Sequence, residues 1–213
     1  MKCKVCKNNC VKAGRQCNGK QKYFCKNCHK YQQKKYRKTP SDRTIVSLLK
    51  EGCGIRSMSR ILGVSPATIT RRIKRIAGNI EKPKIVFRKE YEVDELYTYI
   101  KSKSNKYWIA YALRKDTREV IDFRVGKRTN KTLRPLIELL VLSNAIKINT
   151  DGLPNYKGLI PDKIHQVKRA SINYIERKNL TLRTHLKRLN RRTICFSRSI
   201  DMLISCLKVF FWA

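Results

Sequence analysis

The sequence predicts a multidomain chain in which a small metal-held knuckle and a helical module precede one α/β domain. Three observations carry that reading. Cysteines crowd the first 28 residues, two short amphipathic helical segments joined by a glycine turn come next, and β-rich runs broken by long helical ones follow residue 88. The expected boundaries are 1–33, 41–80 and 88–213, and 213 residues leave room for two small modules and one domain of that size.

The knuckle rests on Cys3-x-x-Cys6 and Cys25-x-x-Cys28, with 18 residues between the pairs. That spacing suits a four-cysteine zinc site, because each C-x-x-C turn presents two thiolates and two turns complete a tetrahedron. Gly14, Asn18 and Gly19 suit the intervening hairpin, giving a zinc-ribbon-like knuckle. The segment has almost no apolar content, so structural Zn²⁺ would have to supply its folding energy, on the order of 10 kcal/mol. Cys10, Cys17 and His29 are substitute ligands in the same stretch. Six of nine cysteines lie within residues 3–28, and no apolar leader precedes them, so the pattern reads as metal binding in a reducing, cytoplasmic setting.

Charge points to the partner. Lys and Arg number 50 against 15 Asp and Glu, a net +35. Solubility needs far less, so a polyanion is implied, nucleic acid ahead of an anionic membrane surface. No acid precedes Asp42, and only Asp151, Asp162, Glu176 and Asp201 occur from residue 151 onward. The longest apolar stretches, such as Leu136–Leu142, contain a charge and fall short of the roughly 20 residues that span a bilayer, so no membrane span is expected.

After a basic linker, Lys34–Lys38, Ser41 can cap a helix carrying Ile45, Val46, Leu48 and Leu49, ended by Gly52 and Gly54. A second short helix runs to Gly63, and Ser65-Pro66 opens a third over Ala67–Ala77. This is a helix-turn-helix pattern, with Ile61, Val64, Ile69 and Ile73 expected in its core. Thr68, Thr70, Arg71 and Arg72 would then face out, placing the start of the last helix in a major groove of double-stranded DNA. An ordinary amphipathic helical pair is the plainer alternative, but no acid stands between Glu51 and Glu81.

In the α/β region, Tyr91–Ile100, Tyr107–Leu113 and Val120–Val125 read as an antiparallel meander. A helix is expected over about Lys131–Ser143, then a strand Ala145–Thr150 ending in Asp151-Gly152, a further strand near Val167, and a long helix over about Tyr174–Arg191. That order matches a ribonuclease H-like domain. It sets Asp94 in the first strand, Asp151 at the tip of the fourth and Glu176 at the start of the last helix. Three such carboxylates can hold two divalent ions, Mg²⁺ or Mn²⁺, which prefer hard oxygen ligands. Arg183 lies two turns after Glu176 and Lys187 extends that stripe, placing cations where a phosphate backbone would pass. Each acid alone also reads as a solvated surface charge, and Asp94 competes with Glu92 and Glu95. The ordered trio is the signal.

One block carries a resemblance. It runs Ile175-Glu176-Arg177-Lys178-Asn179-Leu180-Thr181-Leu182-Arg183-Thr184, then Lys187-Arg188-Leu189 and Arg192-Thr193-Ile194-Cys195-Phe196-Ser197-Arg198-Ser199. With Thr150-Asp151-Gly152, Tyr156 and Asp94-Glu95, it resembles the insertion-sequence-one transposases of prokaryotes, and the likeness takes in both N-terminal modules. The resemblance implies a DDE enzyme with Asp94, Asp151 and Glu176 as its metal-binding triad. It further implies binding of element ends and target DNA, strand cleavage and transfer, and a homo-oligomer on DNA in the nucleoid. The tail departs from the family, which carries a polar helix where this chain has Leu207-Lys208-Val209-Phe210-Phe211-Trp212-Ala213. Ile200, Leu203, Ile204 and Leu207 have helical spacing, so the tail reads as a docking helix or as the stub of a truncated copy. A transcriptional regulator using only the N-terminal modules, and a nuclease that only hydrolyses, are the rival readings.

Overall fold

Cys10–Arg15 (β1) pairs antiparallel with Gln21–Cys25 (β2), which pairs in turn with Lys30–Gln32 (β3). The turn closes where the Gly19 N–H donates to the Gln16 carbonyl at 2.8 Å, and Gly19 has a φ of +75°, open to glycine at no steric cost. The third strand had no signal in the sequence. The computed structural model describes residues 1–17, 19–34, 40–167 and 173–213. Asn18, expected in the hairpin, and most of the basic linker at 34–38 lie outside the described residues. The chain divides into two compact units, one before Pro40 and one from Pro40 to Ala213.

The second unit opens with three helices, Asp42–Lys50 (α1), Ile55–Leu62 (α2) and Pro66–Asn79 (α3). Ser41 and Ser65 cap α1 and α3 by accepting from the N–H groups of Thr44 and Thr68, and Gly63 closes α2 in the left-handed conformation. Ile69 and Ile73 are buried as expected, but Ile61 is 61% exposed. Met58 and Leu62, one turn apart, form the inward face of α2, and Ile61 falls beside that stripe.

A five-stranded sheet follows, ordered β6-β5-β4-β7-β8. Its members are Glu90–Tyr99 (β4), Lys106–Arg114 (β5), Val120–Gly126 (β6), Lys147–Thr150 (β7) and His165–Val167 (β8). The first three pair antiparallel, while β7 and β8 join parallel to β4, the ribonuclease H-like arrangement. Alternation along the strands divides the core. Tyr91, Val93, Ala110, Ala112 and Ile121 pack on Asn130–Leu142 (α4) and Pro154–Lys157 (α5). Leu96, Ile109, Tyr111 and Leu113 face Asn173–His185 (α6) and Ile200–Trp212 (α7).

The tail is a docking helix. Met202, Leu203, Cys206, Leu207 and Val209 of α7 are buried, and the helix packs on α1, α3 and β6. Its indole anchors it, with Trp212 Nε1 donating to the Val120 carbonyl at 2.7 Å. The start of the unit is fastened to the α6 side as well. A Cβ on Gly52 would stand 2.9 Å from the His185 carbonyl oxygen, and Gly52 has a φ of +79°, so only glycine lets α1 end there. The long last helix expected to reach Arg191 stops at His185, and a 3-10 turn, Lys187–Leu189, follows. Among the described residues no helix is long and apolar enough to cross a membrane.

Candidate active site

Parallel pairing of β4 with β7 sets Glu92 beside Asn149. Two residues further along each strand, the same register brings Asp94 to the level of Asp151, both beyond the last pair of the ladder. The two acids, 57 positions apart in sequence, therefore meet where β7 ends beside the middle of β4. Asp94, Glu95 and Asp151 each offer a carboxylate oxygen, all within 4.8 Å of one another. Burial first, then the charges of Asp151 and Glu176, push Asp94 above the ordinary carboxylate range.

Helix α6 covers this point from one face. Glu176 in its first turn is exposed and stands outside the tight oxygen cluster. It lines a cleft of about 360 Å³ with Glu95, Leu96, Asn179, Leu180, Arg183 and Arg191. Asn179, one turn after Glu176, donates from Nδ2 to Asp94 Oδ2 at 2.6 Å, and Tyr111 donates its hydroxyl to Asn179 Oδ1 at 2.9 Å. Glu92, fully buried on the same face as Asp94, accepts from the Ile175 N–H at 2.7 Å through Oε2. That contact takes up one of the free N–H groups that open α6. Burial pushes Glu92 up, and among the described residues its Oε1 has no hydrogen-bond partner. Glu92 and Asn179 carried no sequence signal beyond lying two residues before Asp94 and three after Glu176.

Glu95 occupies the other face. Its side chain is 1% exposed, and its oxygens accept from the Tyr156 hydroxyl and, at 3.2 Å, from Arg128. Burial pushes it up despite those two donors. Alternation does set Glu95 opposite Asp94, yet the longer glutamate side chain still brings an oxygen into the Asp94–Asp151 cluster.

The cations sit unevenly. Arg183 borders the cleft and donates to the Leu189 carbonyl at 3.1 Å, while burial, followed by the neighbouring Arg191, pulls its pKa down. Lys187 is exposed but leaves the stripe of Glu176 and Arg183, because α6 has ended two residues earlier. In α3, Arg71 is exposed, whereas Arg72 turns inward with a side chain only 14% exposed. Arg72 Nε donates to Asp42 Oδ1 at 2.9 Å, and its other nitrogens reach Asp42 and the Pro40 carbonyl. The expectation that Arg72 faces out is thus not met, because Asp42 on α1 captures it. Thr68 and Thr70 are half-buried, their hydroxyls bonded to Ser65 Oγ at 2.9 Å and the Pro66 carbonyl at 3.0 Å.

In the first unit, the sulfurs of Cys3, Cys6, Cys25 and Cys28 lie within 4.8 Å of one another, with Cys3 to Cys28 at 3.5 Å and Cys6 to Cys25 at 3.4 Å. A tetrahedral zinc thiolate needs sulfurs about 3.8 Å apart, so this donor set fits Zn²⁺. Backbone N–H groups of Cys6 and Val5, with the Gln32 amide at 2.7 Å, hold the Cys3 thiol down to about 5 against the effect of burial. Cys10 is buried beside the set but outside it, and Cys17 and His29 are exposed.

Two families match parts of this chain. A family described as IS1 transposase matches residues 88–211, and a helix-turn-helix domain matches residues 39–75. The insertion element iso-IS1n protein InsB of Shigella dysenteriae is 39% identical over 111 residues, 52% of this chain and 85% of that protein. The insertion element IS1 protein InsB of Shigella flexneri is 37% identical over 111 residues, with the same coverage of 52% and 85%. The HTLV-2 integrase catalytic core domain in complex with magnesium (trimeric form) aligns at a TM-score of 0.38 and 15% identity, covering 60% of this chain and 86% of that one. That likeness is too loose to carry weight. With more than half its length matched by that one family, the chain belongs to the IS1 transposases.

Proposed function

We propose that this transposase binds the terminal repeats of a prokaryotic insertion sequence and cuts and rejoins their strands at a two-metal centre on Asp94, Asp151 and Glu176. The observation that carries the reading is the β4–β7 register, which sets Asp94 beside Asp151 under the helix that bears Glu176. Acids are scarce in a chain of net charge +35, yet Asp94, Glu95 and Asp151 bring carboxylate oxygens within 4.8 Å of one another, with Arg128 the cation paired to Glu95. Hard oxygen donors clustered where β7 ends beside β4 fit Mg²⁺ or Mn²⁺. When bound, such ions supply Lewis acidity to the attacking and leaving oxygens of phosphoryl transfer.

The chain's own residues orient the site and its DNA. Asn179 fixes the Asp94 carboxylate, and Glu92 fixes the start of α6 and with it Glu176. Arg183 offers its guanidinium at the cleft, where a phosphate oxygen of the reacting strand would lie, and Lys187 a further contact along the backbone. Arg71, with Thr68 and Thr70 near it, would meet the major groove of double-stranded DNA, while Arg72 holds the helical module in shape. We assign 1–33 to a structural Zn²⁺ knuckle, 41–80 to end recognition and 88–213 to catalysis. A homo-oligomer on DNA, in the cytoplasm and nucleoid, follows from an element with two ends to be brought together.

Incubating the protein with end-containing DNA, Mg²⁺ and a target plasmid tests this reading. Joined products are expected. Nicks without joining would make the protein a nuclease, and binding without either would make it a regulator.

A further inference from the structure

A second cleft opens beside the acidic centre, and its lining matches a nucleic acid strand. It encloses about 590 Å³ between the end of β4, the residues just after it, and the segment 191–196. Lys101, Lys103, Arg191 and Arg192 all line it. None of the four pairs with a carboxylate among the described residues. Nor could a sequence neighbour neutralise them, because residues 96–115 and 177–200 contain no acid. Four like charges around one cleft repel each other until an anion enters.

The cations are held on a fixed frame. The Lys101 N–H donates to the Ser197 carbonyl at 3.0 Å, Tyr99 donates its hydroxyl to the Thr193 carbonyl at 2.8 Å, and Arg188 donates to Ser197 Oγ at 3.1 Å. Arg191 lines both this cleft and the one holding Glu176, so the two form one track.

The cleft is also apolar, which a phosphate site does not require. Ile194, which lines it two residues after the arginine pair, is 91% exposed, and the rings of Tyr99 and Phe196, tilted by 39° with centroids 5.6 Å apart, line it too. A branched aliphatic side chain set among cations suits the face of a base, and a base presents its face only when it leaves the stack.

We propose that this cleft binds the DNA strand running on from the reacting phosphate. Lys101, Lys103, Arg191 and Arg192 hold its phosphates, and one unstacked nucleotide rests on Ile194. The direction of the strand rests on the two-metal reading above, but the nucleotide site itself does not.

Binding of the full chain, without divalent metal, to a blunt duplex and to a forked duplex of the same arbitrary sequence tests it. Wild type should prefer the fork by about tenfold, and Ile194→Ala, at an exposed position that cannot disturb folding, should lose that preference while keeping its blunt-duplex affinity. Lys103→Ala with Arg192→Ala should weaken both DNAs and lower the salt slope by about one per contact removed. Equal affinity of wild type for fork and blunt duplex, or an Ile194→Ala variant that keeps the preference, would overturn the nucleotide site. An unchanged salt slope in the double variant would overturn the phosphate track. Because no cleavage is read, failure here leaves strand joining untouched, and failure of strand joining leaves this result standing.

Discussion

Asn179 holds Asp94 from the helix that carries Glu176, its amide 2.6 Å from Asp94 Oδ2 and its own oxygen fixed by the Tyr111 hydroxyl. The three residues couple the sheet to α6, so the orientation of one acid depends on the helix that bears another. Asn179→Ala should lower strand joining by about 10–100-fold, the usual cost of losing a group that orients a metal ligand. Asn179→Asp should cost more, because it sets a further negative charge against Asp94. End binding, measured by gel shift, should change in neither.

Glu92 makes a complementary prediction at the first turn of α6. Glu92→Ala leaves the Ile175 N–H without its acceptor and should destabilise the protein by about 1–3 kcal/mol while lowering joining. Glu92→Gln keeps an acceptor and removes a charge that burial disfavours, so stability and joining should both be largely restored. Denaturant melts of the two variants, read beside joining assays, separate a positioning role from a ligand role. A Glu92→Gln variant that folds and binds ends but cannot join them would make Glu92 a ligand.

The two neighbouring arginines of α3 should behave differently. Arg72→Ala breaks the contacts to Asp42 and Pro40 and should cost about 1–2 kcal/mol of stability. Arg71→Ala should leave stability unchanged and weaken end binding, by about 1–3 kcal/mol if it reads a base. Although burial pushes Asp42 up, hydrogen bonds from Arg72 and Arg75 hold it below the ordinary carboxylate range. A lowered folded pKa means that the stabilisation is present above the unfolded value and is lost as pH falls through the folded one. The Arg72→Ala penalty should therefore be full at neutral pH and shrink in acid to the share that comes from the Pro40 carbonyl.

Metal removal tests the knuckle. Purified protein should hold about one zinc per chain on Cys3, Cys6, Cys25 and Cys28. Chelation or Cys25→Ser should unfold residues 1–33 and weaken DNA binding, and limited proteolysis should show the unit from Pro40 onward intact, because it is compact by itself. Metal analysis in reducing buffer that finds no zinc would contradict this.

Much of the architecture was legible because its signals are local. Aromatic and β-branched runs marked the strands of the meander, Ser41 and Ser65 marked helix starts, and the order of Asp94, Asp151 and Glu176 suggested a sheet with one acid inside its first strand, one at the tip of its fourth and one on the helix that follows. What stayed hidden depends on contacts distant in sequence. Arg72 looks like an exposed arginine until Asp42, 30 positions earlier, captures it. Nothing between His185 and Arg191 signals a break in α6, neither glycine nor proline, so Lys187 was placed on a stripe that had already ended. Asn179 and Glu92 are ordinary polar residues until the sheet register sets them around Asp94. Alternation sets Glu95 on the face opposite Asp94, but it gives the direction of a side chain and says nothing of its reach.

The most direct test is a joining assay on Asp94→Asn, Asp151→Asn and Glu176→Gln in Mg²⁺ or Mn²⁺, with Glu95→Gln as the control. Each triad variant keeps its side-chain size and removes the charge that would hold a metal, so each should abolish cleavage and joining while binding ends near the wild-type level. Glu95→Gln keeps an acceptor for Tyr156 but weakens the contact with Arg128 and removes one charge beside Asp94 and Asp151, so it should lower activity yet retain far more than the triad variants. A dead Glu95→Gln beside an active Asp94→Asn would move the metal ligand one residue along β4. Triad variants that still join DNA ends would contradict the DDE mechanism itself.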